Sequence, residues 1–254
     1  MVRVFSGAVA NGWDTKSTLI HAVDGNDNLM PELVARAVQS QQPRVLDVGC
    51  GTGKFAEWVE VALPRAEVTG IDVSTAMIEI ARAKPWKGTP RFEVASLLDY
   101  SPGEPFDVVA LRQVLHHIPD QKRAMDAVAR LLSPDGVALL MLPSAEHASQ
   151  VIPYRPGHDP LGRMDETAVA SLADAAGLTI AEAQHRTHAA RFASAFHYFQ
   201  HLISIGSLQK IFDYRPDAAV VERFVELFAP ILSTGNDISV DFGYSYYLLR
   251  KADW

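Results

Sequence analysis

A buried strand that turns into a helix over three alternating glycines is the feature that most constrains this chain. Residues 44–53 read RVLDVGCGTG, and a helical pattern begins near Phe55. Val45, Leu46 and Val48 form the short apolar run typical of a strand covered on both faces. Glycine has no side chain and can hold a positive φ, so the backbone here can approach a ligand closely. The segment therefore predicts an α/β sheet with a ligand beyond the carboxyl end of this strand.

A second apolar run, residues 68–71, ends in Asp72, nineteen residues after Gly53. An acidic residue at the end of the next strand can hold both hydroxyls of a ribose. The glycines follow a G-x-G-x-G spacing, whereas dinucleotide folds use G-x-G-x-x-G, and Asp47 precedes them on the strand. A carboxylate at Asp47 would repel a diphosphate but suits an ammonium or sulfonium group. These residues favour an adenosine-type cofactor carrying positive charge, and NAD is a distant alternative.

Composition limits the classes of function that fit the chain. With 254 residues and 48% hydrophobic content, the chain can bury one sizeable core, with room for a small appended lobe. The net charge of −7 argues against a nucleic-acid partner, and no run is long enough to span a membrane. Cys50 is the only cysteine, so no intrachain disulfide can form and a cytoplasmic location is expected. We expect its thiol to pack in the glycine loop rather than act as a nucleophile.

The run VLDVGCGTG followed by GIDVS closely resembles the class I S-adenosylmethionine-dependent methyltransferases. Residues 106–111 resemble that family's fourth strand, residues 114–118 the segment after it, and residues 136–141 its fifth strand. The matches agree in order and spacing over residues 44–143. The resemblance implies S-adenosylmethionine as cofactor and S-adenosylhomocysteine as product. It also implies a Rossmann-like α/β fold: a seven-stranded, mostly parallel sheet with an antiparallel last strand, flanked by helices.

The remaining periodicity is consistent with that fold and adds an insertion. Strand and helix patterns alternate from residue 44 to 142, which predicts a parallel sheet with crossover helices. A helix over about 166–176, capped by Gly177, precedes a sixth strand over 178–184. The resemblance places the last strand, about 238–250, antiparallel between strands five and six. The methyltransferase domain would thus cover residues 43–254.

Two helical patterns fill a predicted insertion at about residues 186–236. The first carries Phe192, Phe196 and Phe199, and the second begins near Asp217. Core helices, a lid over the substrate and a homodimer contact all remain open for this insertion. Residues 1–42 form an N-terminal helical segment that we assign to the substrate cap, from which Trp13 would close over the cofactor.

The resemblance assigns cofactor contacts to Trp13, Asp47, Gly49, Cys50, Gly51, Gly53, Asp72, Val73, Met77, Ser96, Leu97 and Arg112. On the methionine side, the three glycines would let the backbone approach, and Asp47 would lie near the ammonium group. The carbonyl of Arg112 would hold the methionine amino group.

On the adenosine side, Asp72 would take the ribose hydroxyls, and Val73 and Met77 would lie against the adenine. Many relatives place an aspartate after the third strand to accept the adenine amino group. This chain has Ser96 there, so Ser96 would serve instead, with Asp99 as a rival and the amide of Leu97 donating to the ring.

Methyl transfer needs alignment of the reactants, and it needs a general base only when the acceptor must lose a proton. His116 and His117 follow the fourth strand and are the candidate bases, with His117 favoured; packing of the His-His-Ile segment is the alternative role. No metal site is expected. The predicted activity is methyl transfer to an oxygen, nitrogen or carbon atom of a small-molecule acceptor. A cyclase that retains the cofactor and an S-adenosylmethionine-binding sensor are the alternatives.

Overall fold

The computed structural model describes residues 29–149, 154, 156, 159, 162–194, 197–198, 201–202 and 237–252. In chain order its helices and strands are α1 (Leu29–Ala37), β1 (Arg44–Val48), α2 (Lys54–Ala62), β2 (Glu67–Asp72), α3 (Thr75–Ala83), β3 (Arg91–Val94), β4 (Phe106–Arg112), α4 (Gln121–Leu131), β5 (Leu132–Pro143), α5 (Glu166–Ala175), β6 (Leu178–Phe192) and β7 (Ile238–Lys251). Two short 3-10 turns, Leu97–Asp99 and Leu115–His117, follow β3 and β4. No helix in these ranges is long and apolar enough to cross a membrane.

The seven strands form one sheet in the order β3-β2-β1-β4-β5-β7-β6. Strands β1 to β5 pair in parallel, and β7 pairs antiparallel with both β5 and β6. This confirms the predicted fold, including the antiparallel last strand between strands five and six. The chain moves outward from β1 to β2 on one side and to β4 on the other. The carboxyl ends of β1 and β4 therefore flank a crevice of the kind that holds ligands in open α/β sheets.

Successive side chains of the central strands point to opposite faces of the sheet, and each face carries one apolar cluster. In β1, Val45 joins the cluster under α1 and α2, whereas Leu46 and Val48 join the cluster under α4 and α5. By the same alternation, Asp47 in β1 and Arg112 in β4 belong to the face covered by α1 and α2. The polar residues at the ends of these strands are thus held by a close-packed core.

Strand β6 is eight residues longer than predicted and ends at Phe192 rather than near residue 184. It pairs with β7 along its whole length, from Leu178 opposite Lys251 to Phe192 opposite Ile238. Phe192 therefore lies in a strand, and the predicted start of the helical insertion at residue 186 is too early. Residues 197–198 and 201–202 are helical, and the insertion from 203 to 236 lies outside the described residues.

Candidate active site

The three glycines after β1 all adopt the left-handed conformation. Their φ angles are +63° at Gly49, +54° at Gly51 and +85° at Gly53, where most residues with a side chain are strained. A Cβ atom on Gly49 would lie 2.4 Å from a methyl carbon of Val114. The N–H of Gly53 donates to the carbonyl of Cys50 at 2.8 Å, and Gly53 then caps α2. The turn is therefore tight, and its backbone faces the crevice between β1 and β4.

Asp72 at the end of β2 joins the glycine loop to the start of α3. Its Oδ2 accepts a hydrogen bond from the N–H of Gly51 at 3.0 Å, and its Oδ1 accepts one from the N–H of Ser74 at 2.8 Å. Burial raises the pKa of this carboxyl, and the backbone N–H groups oppose that shift. Because each carboxylate oxygen has a second lone pair, Asp72 retains the capacity to accept from two ligand hydroxyls.

Asp47 has a buried carboxyl group, and one of its oxygens makes no hydrogen bond to the described residues. Only 1% of its surface is exposed, and among the described residues its Oδ2 has no hydrogen-bond partner. Burial raises its pKa to about 8; the positive charge of Arg112 opposes the shift and the Asp72 carboxyl adds to it. The Arg112 guanidinium carbon lies 4.8 Å from the centre of the Trp58 ring, a cation–π distance. Such a site is costly when empty and suits a cationic ligand group.

On the adenosine side, the structure leaves the predicted contacts as predictions. Val73 is 37% exposed beside Asp72, whereas Met77 is buried and its backbone N–H donates a hydrogen bond to the Ser74 hydroxyl. The hydroxyl of Ser96 accepts from the N–H of Leu98 at 3.3 Å and so begins the 3-10 turn after β3. Leu97 is buried in the cluster on the α4 and α5 face.

Cys50 and Trp13 are the two remaining residues that were predicted to contact the cofactor. Cys50 is buried in the cluster on the α1 and α2 face, and its Sγ lies 2.9 Å from where a Cβ on Gly70 would stand. Burial also raises the pKa of its thiol, which supports the packing role. Trp13 lies outside the described residues.

His116 and His117 occupy the 3-10 turn that follows β4, with ring centroids 4.2 Å apart. Both side chains are partly exposed, near the mouth of the crevice. Between them and β4 lies Gln113, which belongs to no motif recognised in the sequence. Its φ is +59°, and its side-chain Nε2 is buried without a hydrogen-bond partner in the part of the chain that the structure describes. No pattern in the sequence marks a glutamine for a positive φ.

The segment after β5 is held by a buried ion pair rather than being open surface. Arg163 has a buried side chain whose Nε lies 2.9 Å from a carboxylate oxygen of Asp159. Its Nη1 donates to the carbonyl of His147 at 2.8 Å. The hydroxyl of Tyr154 donates to Asp165 at 3.2 Å. Tyr154 and Asp159 are thus each tied to a residue just before α5.

His147 is a second residue of interest that no sequence pattern marks, and it is partly buried. Its Nδ1 lies 3.1 Å from the carbonyl of Gly243, and its ring meets Phe242 edge-on at a centroid distance of 5.2 Å. Burial lowers the pKa of His147 to about 4, so the ring is neutral near pH 7. A lone histidine in a loop carries no sequence signal for such an environment.

Comparison with known proteins agrees with this geometry. Residues 24–213 match the family model described as a methyltransferase domain. The chain is 31% identical over 210 residues to a ubiquinone biosynthesis O-methyltransferase of Thiobacillus denitrificans, covering 74% of this chain and 86% of that protein. It is 36% identical over 115 residues to a trans-aconitate 2-methyltransferase of Methylobacterium radiotolerans, 44% of this chain and 42% of that protein. The chain thus spans less than half of the second relative.

Solved structures show the same fold at low sequence identity. The cyclase SpnF superposes with a TM-score of 0.57 at 22% identity, covering 88% of this chain and 80% of that one. The mycolic acid cyclopropane synthase CmaA1, solved with SAH, gives a TM-score of 0.53 at 19% identity, covering 87% and 82%. At these identities the likeness extends to the fold alone. The family match, the 31% identical relative and the crevice with Asp47 and Asp72 identify this chain as a member of the class I S-adenosylmethionine-dependent methyltransferases.

Proposed function

We propose that this protein transfers a methyl group from S-adenosylmethionine to an oxygen atom of a small-molecule acceptor. The observation that carries the cofactor part is the buried Oδ2 of Asp47, which no described residue hydrogen-bonds, close to the end of β2 at Asp72. The choice of oxygen and of a small acceptor is supported by two relatives, one named for O-methylation in ubiquinone biosynthesis and one for trans-aconitate.

The residues of the crevice fit this cofactor. Asp47 would receive the ammonium group of the methionine, which supplies the partner that its buried Oδ2 lacks. Asp72, already fixed by two backbone N–H groups, would accept from the ribose hydroxyls. The glycine loop from Gly49 to Gly53 would lie along the methionine chain, where side chains would obstruct it. Val73 and Met77 would border the adenine, with Ser96 and Leu97 at its edge.

When bound, S-adenosylmethionine supplies a methyl group activated by a sulfonium centre, so the protein contributes mainly alignment and water exclusion. The backbone at Arg112 and the glycine loop would orient the methionine moiety relative to the end of β4. The capping role predicted for residues 1–42, including Trp13, and the lid predicted as one role of the insertion stay predictions, because residues 1–28 and 203–236 lie outside the described ranges. The single thiol suits a reducing cytoplasm.

A hydroxyl acceptor must lose its proton, and we assign that proton to an imidazole nitrogen of His117, with His116 beside it. A positioned general base contributes roughly 10²–10⁴-fold in rate. His117→Ala should therefore lower turnover by about that factor while leaving the dissociation constant for S-adenosylhomocysteine within about twofold. His116→Ala should lower turnover less. If both variants turn over like the wild type, neither histidine is the base.

The proposed function is tested by incubating the purified protein with cofactor labelled on the methyl group and an extract of its host, then separating the products by mass. Label in the low-mass fraction supports a small-molecule methyltransferase and isolates the acceptor. Label in protein or RNA contradicts the acceptor class. Tight binding of the cofactor without transfer to any fraction favours a sensor or a cyclase. Asp72→Ala is the matched control and should abolish transfer by weakening cofactor binding.

A further inference from the structure

Gln113 adopts a backbone conformation that glutamine does not favour. It is not glycine, asparagine or aspartate, yet its φ of +59° lies in the left-handed region, a conformation that costs free energy. The backbone N–H of Gln113 donates to the carbonyl of Met141 in β5 at 2.9 Å, which holds the residue in place. The surrounding structure therefore imposes this backbone on a residue that does not favour it.

The amide of Gln113 also lacks the partner that a buried donor requires. Its Nε2 is buried and makes no hydrogen bond to any residue that the structure describes. A buried donor without a partner is destabilising, and natural structures hold few of them. Strained backbone and unmet side-chain donors concentrate at sites that bind ligands. Together the two features point to a ligand atom that completes the site.

The position of Gln113 in the sheet decides which ligand atom this is. Gln113 follows β4 and is bonded to β5, whereas Asp72 ends β2 on the far side of β1. Its neighbour Val114 packs against Gly49 of the glycine loop, so Gln113 lies at the edge of the same crevice. An N–H donor cannot serve the cofactor's ammonium group, which itself needs acceptors, and the cofactor's carboxylate would be served by the backbone N–H groups of the glycine loop. The Nε2 of Gln113 is thus available to the molecule that receives the methyl group, and that molecule must offer a lone pair to accept its hydrogen bond.

We infer that Gln113 is a positioning and specificity residue whose amide donates a hydrogen bond to an oxygen atom of the methyl acceptor. The inference rests on the proposed function and narrows it, because it requires an acceptor that offers an oxygen lone pair next to the end of β4. The amide holds that oxygen while its proton passes to the base. An acceptor analogue lacking the oxygen leaves the Nε2 donor unpaired and is rejected on that account.

The test compares wild type with Gln113→Met, which keeps the side-chain length but removes the amide. Gln42→Met is the matched control, because Gln42 is an exposed glutamine whose Nε2 lies 3.4 Å from Glu67. Three quantities are measured: the melting temperature of the free protein, the dissociation constant for S-adenosylhomocysteine, and labelling of the low-mass fraction across a dilution series of the extract. Gln113→Asn keeps the amide on a residue that tolerates positive φ, and serves as the conservative rescue.

For Gln113→Met we expect a melting temperature no lower than that of wild type and S-adenosylhomocysteine affinity within about twofold. The extract concentration that gives half-maximal labelling should rise at least tenfold, and Gln113→Asn should recover part of that loss. An unchanged dilution curve, a lowered melting temperature or a matching loss of S-adenosylhomocysteine affinity overturns the inference. Failure of the wild type to label any small molecule would instead show that the proposed function, on which the inference rests, is wrong.

Discussion

Single residues of the glycine loop are constrained by both conformation and space, and Gly49 shows both constraints. Its φ is +63°, and an added Cβ would lie 2.4 Å and 2.9 Å from the two methyl carbons of Val114. Gly49→Ala should therefore lower the free energy of unfolding by at least about 2 kcal/mol. Val114→Ala in the same chain should restore only part of this loss, because it removes the clash but leaves the strained φ.

Urea unfolding of the single and double variants measures these effects. Gly103→Ala is the control, because an added Cβ there meets no atom within 4 Å. If Gly49→Ala were as stable as Gly103→Ala, the loop would not need a glycine at this position.

The raised pKa of Asp47 predicts a pH dependence of stability. On folding, its pKa rises from 3.8 to about 8, chiefly because the carboxyl is buried. The folded chain therefore keeps a proton that the unfolded chain releases above about pH 4. The stabilisation from this group is complete below that pH and is lost as the pH rises toward 8.

Asp47→Asn removes this loss, because asparagine needs no proton to remain neutral. We expect Asp47→Asn to be more stable than wild type by about 2 kcal/mol or more at pH 7.5, with the difference shrinking toward pH 4. Urea unfolding at several pH values measures it, with Asp126→Asn on the surface as control. A variant that is no more stable than wild type at pH 7.5 would mean that Asp47 is already ionised in the folded protein.

At the scale of elements, the turn after β5 is fixed by its close crossing of β7. The N–H of Ser144 donates to the carbonyl of Gly243 at 3.0 Å, and His147 meets the same carbonyl through Nδ1. A Cβ on Gly243 would lie 2.5 Å from the Ser144 hydroxyl oxygen, so only glycine allows this approach. This turn also fixes the carbonyl of His147, which accepts a hydrogen bond from Arg163.

Because the His147 ring resists protonation in the folded chain, we expect the folded protein to lose stability in acid. The pKa of His147 falls from 6.5 to about 4 on folding because the ring is buried. Below pH 6.5 the unfolded chain takes up a proton that the folded chain refuses, so stability falls as the pH is lowered toward 4. Between pH 7.5 and pH 5, His147→Phe should lose about 2 kcal/mol less than wild type. The Gly243 carbonyl keeps its Ser144 partner in this variant.

Urea unfolding at the two pH values measures the difference, and His188→Phe on the exposed part of β6 controls for the loss of a histidine. Equal acid sensitivity of wild type and His147→Phe would show that His147 ionises freely in the folded chain.

Elements with strong periodicity could be predicted from the sequence, and the others could not. The apolar run of β1 and the spacing of buried residues in α4 follow from local sequence. The outer half of β6 could not be predicted, because Arg186, Thr187 and His188 are all exposed and lack the alternation of a half-buried strand. Its conformation comes from pairing with β7, some fifty residues away in the chain, where Thr187 lies opposite Gly243.

At the scale of the whole molecule, the site residues that could be predicted are those near the carboxyl ends of the parallel strands. Asp47 lies one residue before the end of β1 and Asp72 ends the adjacent parallel strand β2, so the order of the sheet alone brings them close. Gln113 and His147 could not be predicted, because a positive φ and burial by a distant turn depend on tertiary packing. The same tertiary packing placed Arg163 in the interior, against the usual exposure of arginine.

The central claim is that this crevice binds S-adenosylmethionine with Asp47 facing its ammonium group, and the proton balance of binding tests it most directly. In the free protein at pH 7, Asp47 with a pKa of about 8 is mostly protonated, and an ammonium partner favours the ionised form. Titration calorimetry in phosphate and in Tris, whose ionisation enthalpies differ, counts the protons released. We predict close to one proton released per bound cofactor in wild type, and weaker binding with no release in Asp47→Asn. Equal proton release by the two proteins, or none in wild type, would contradict the account.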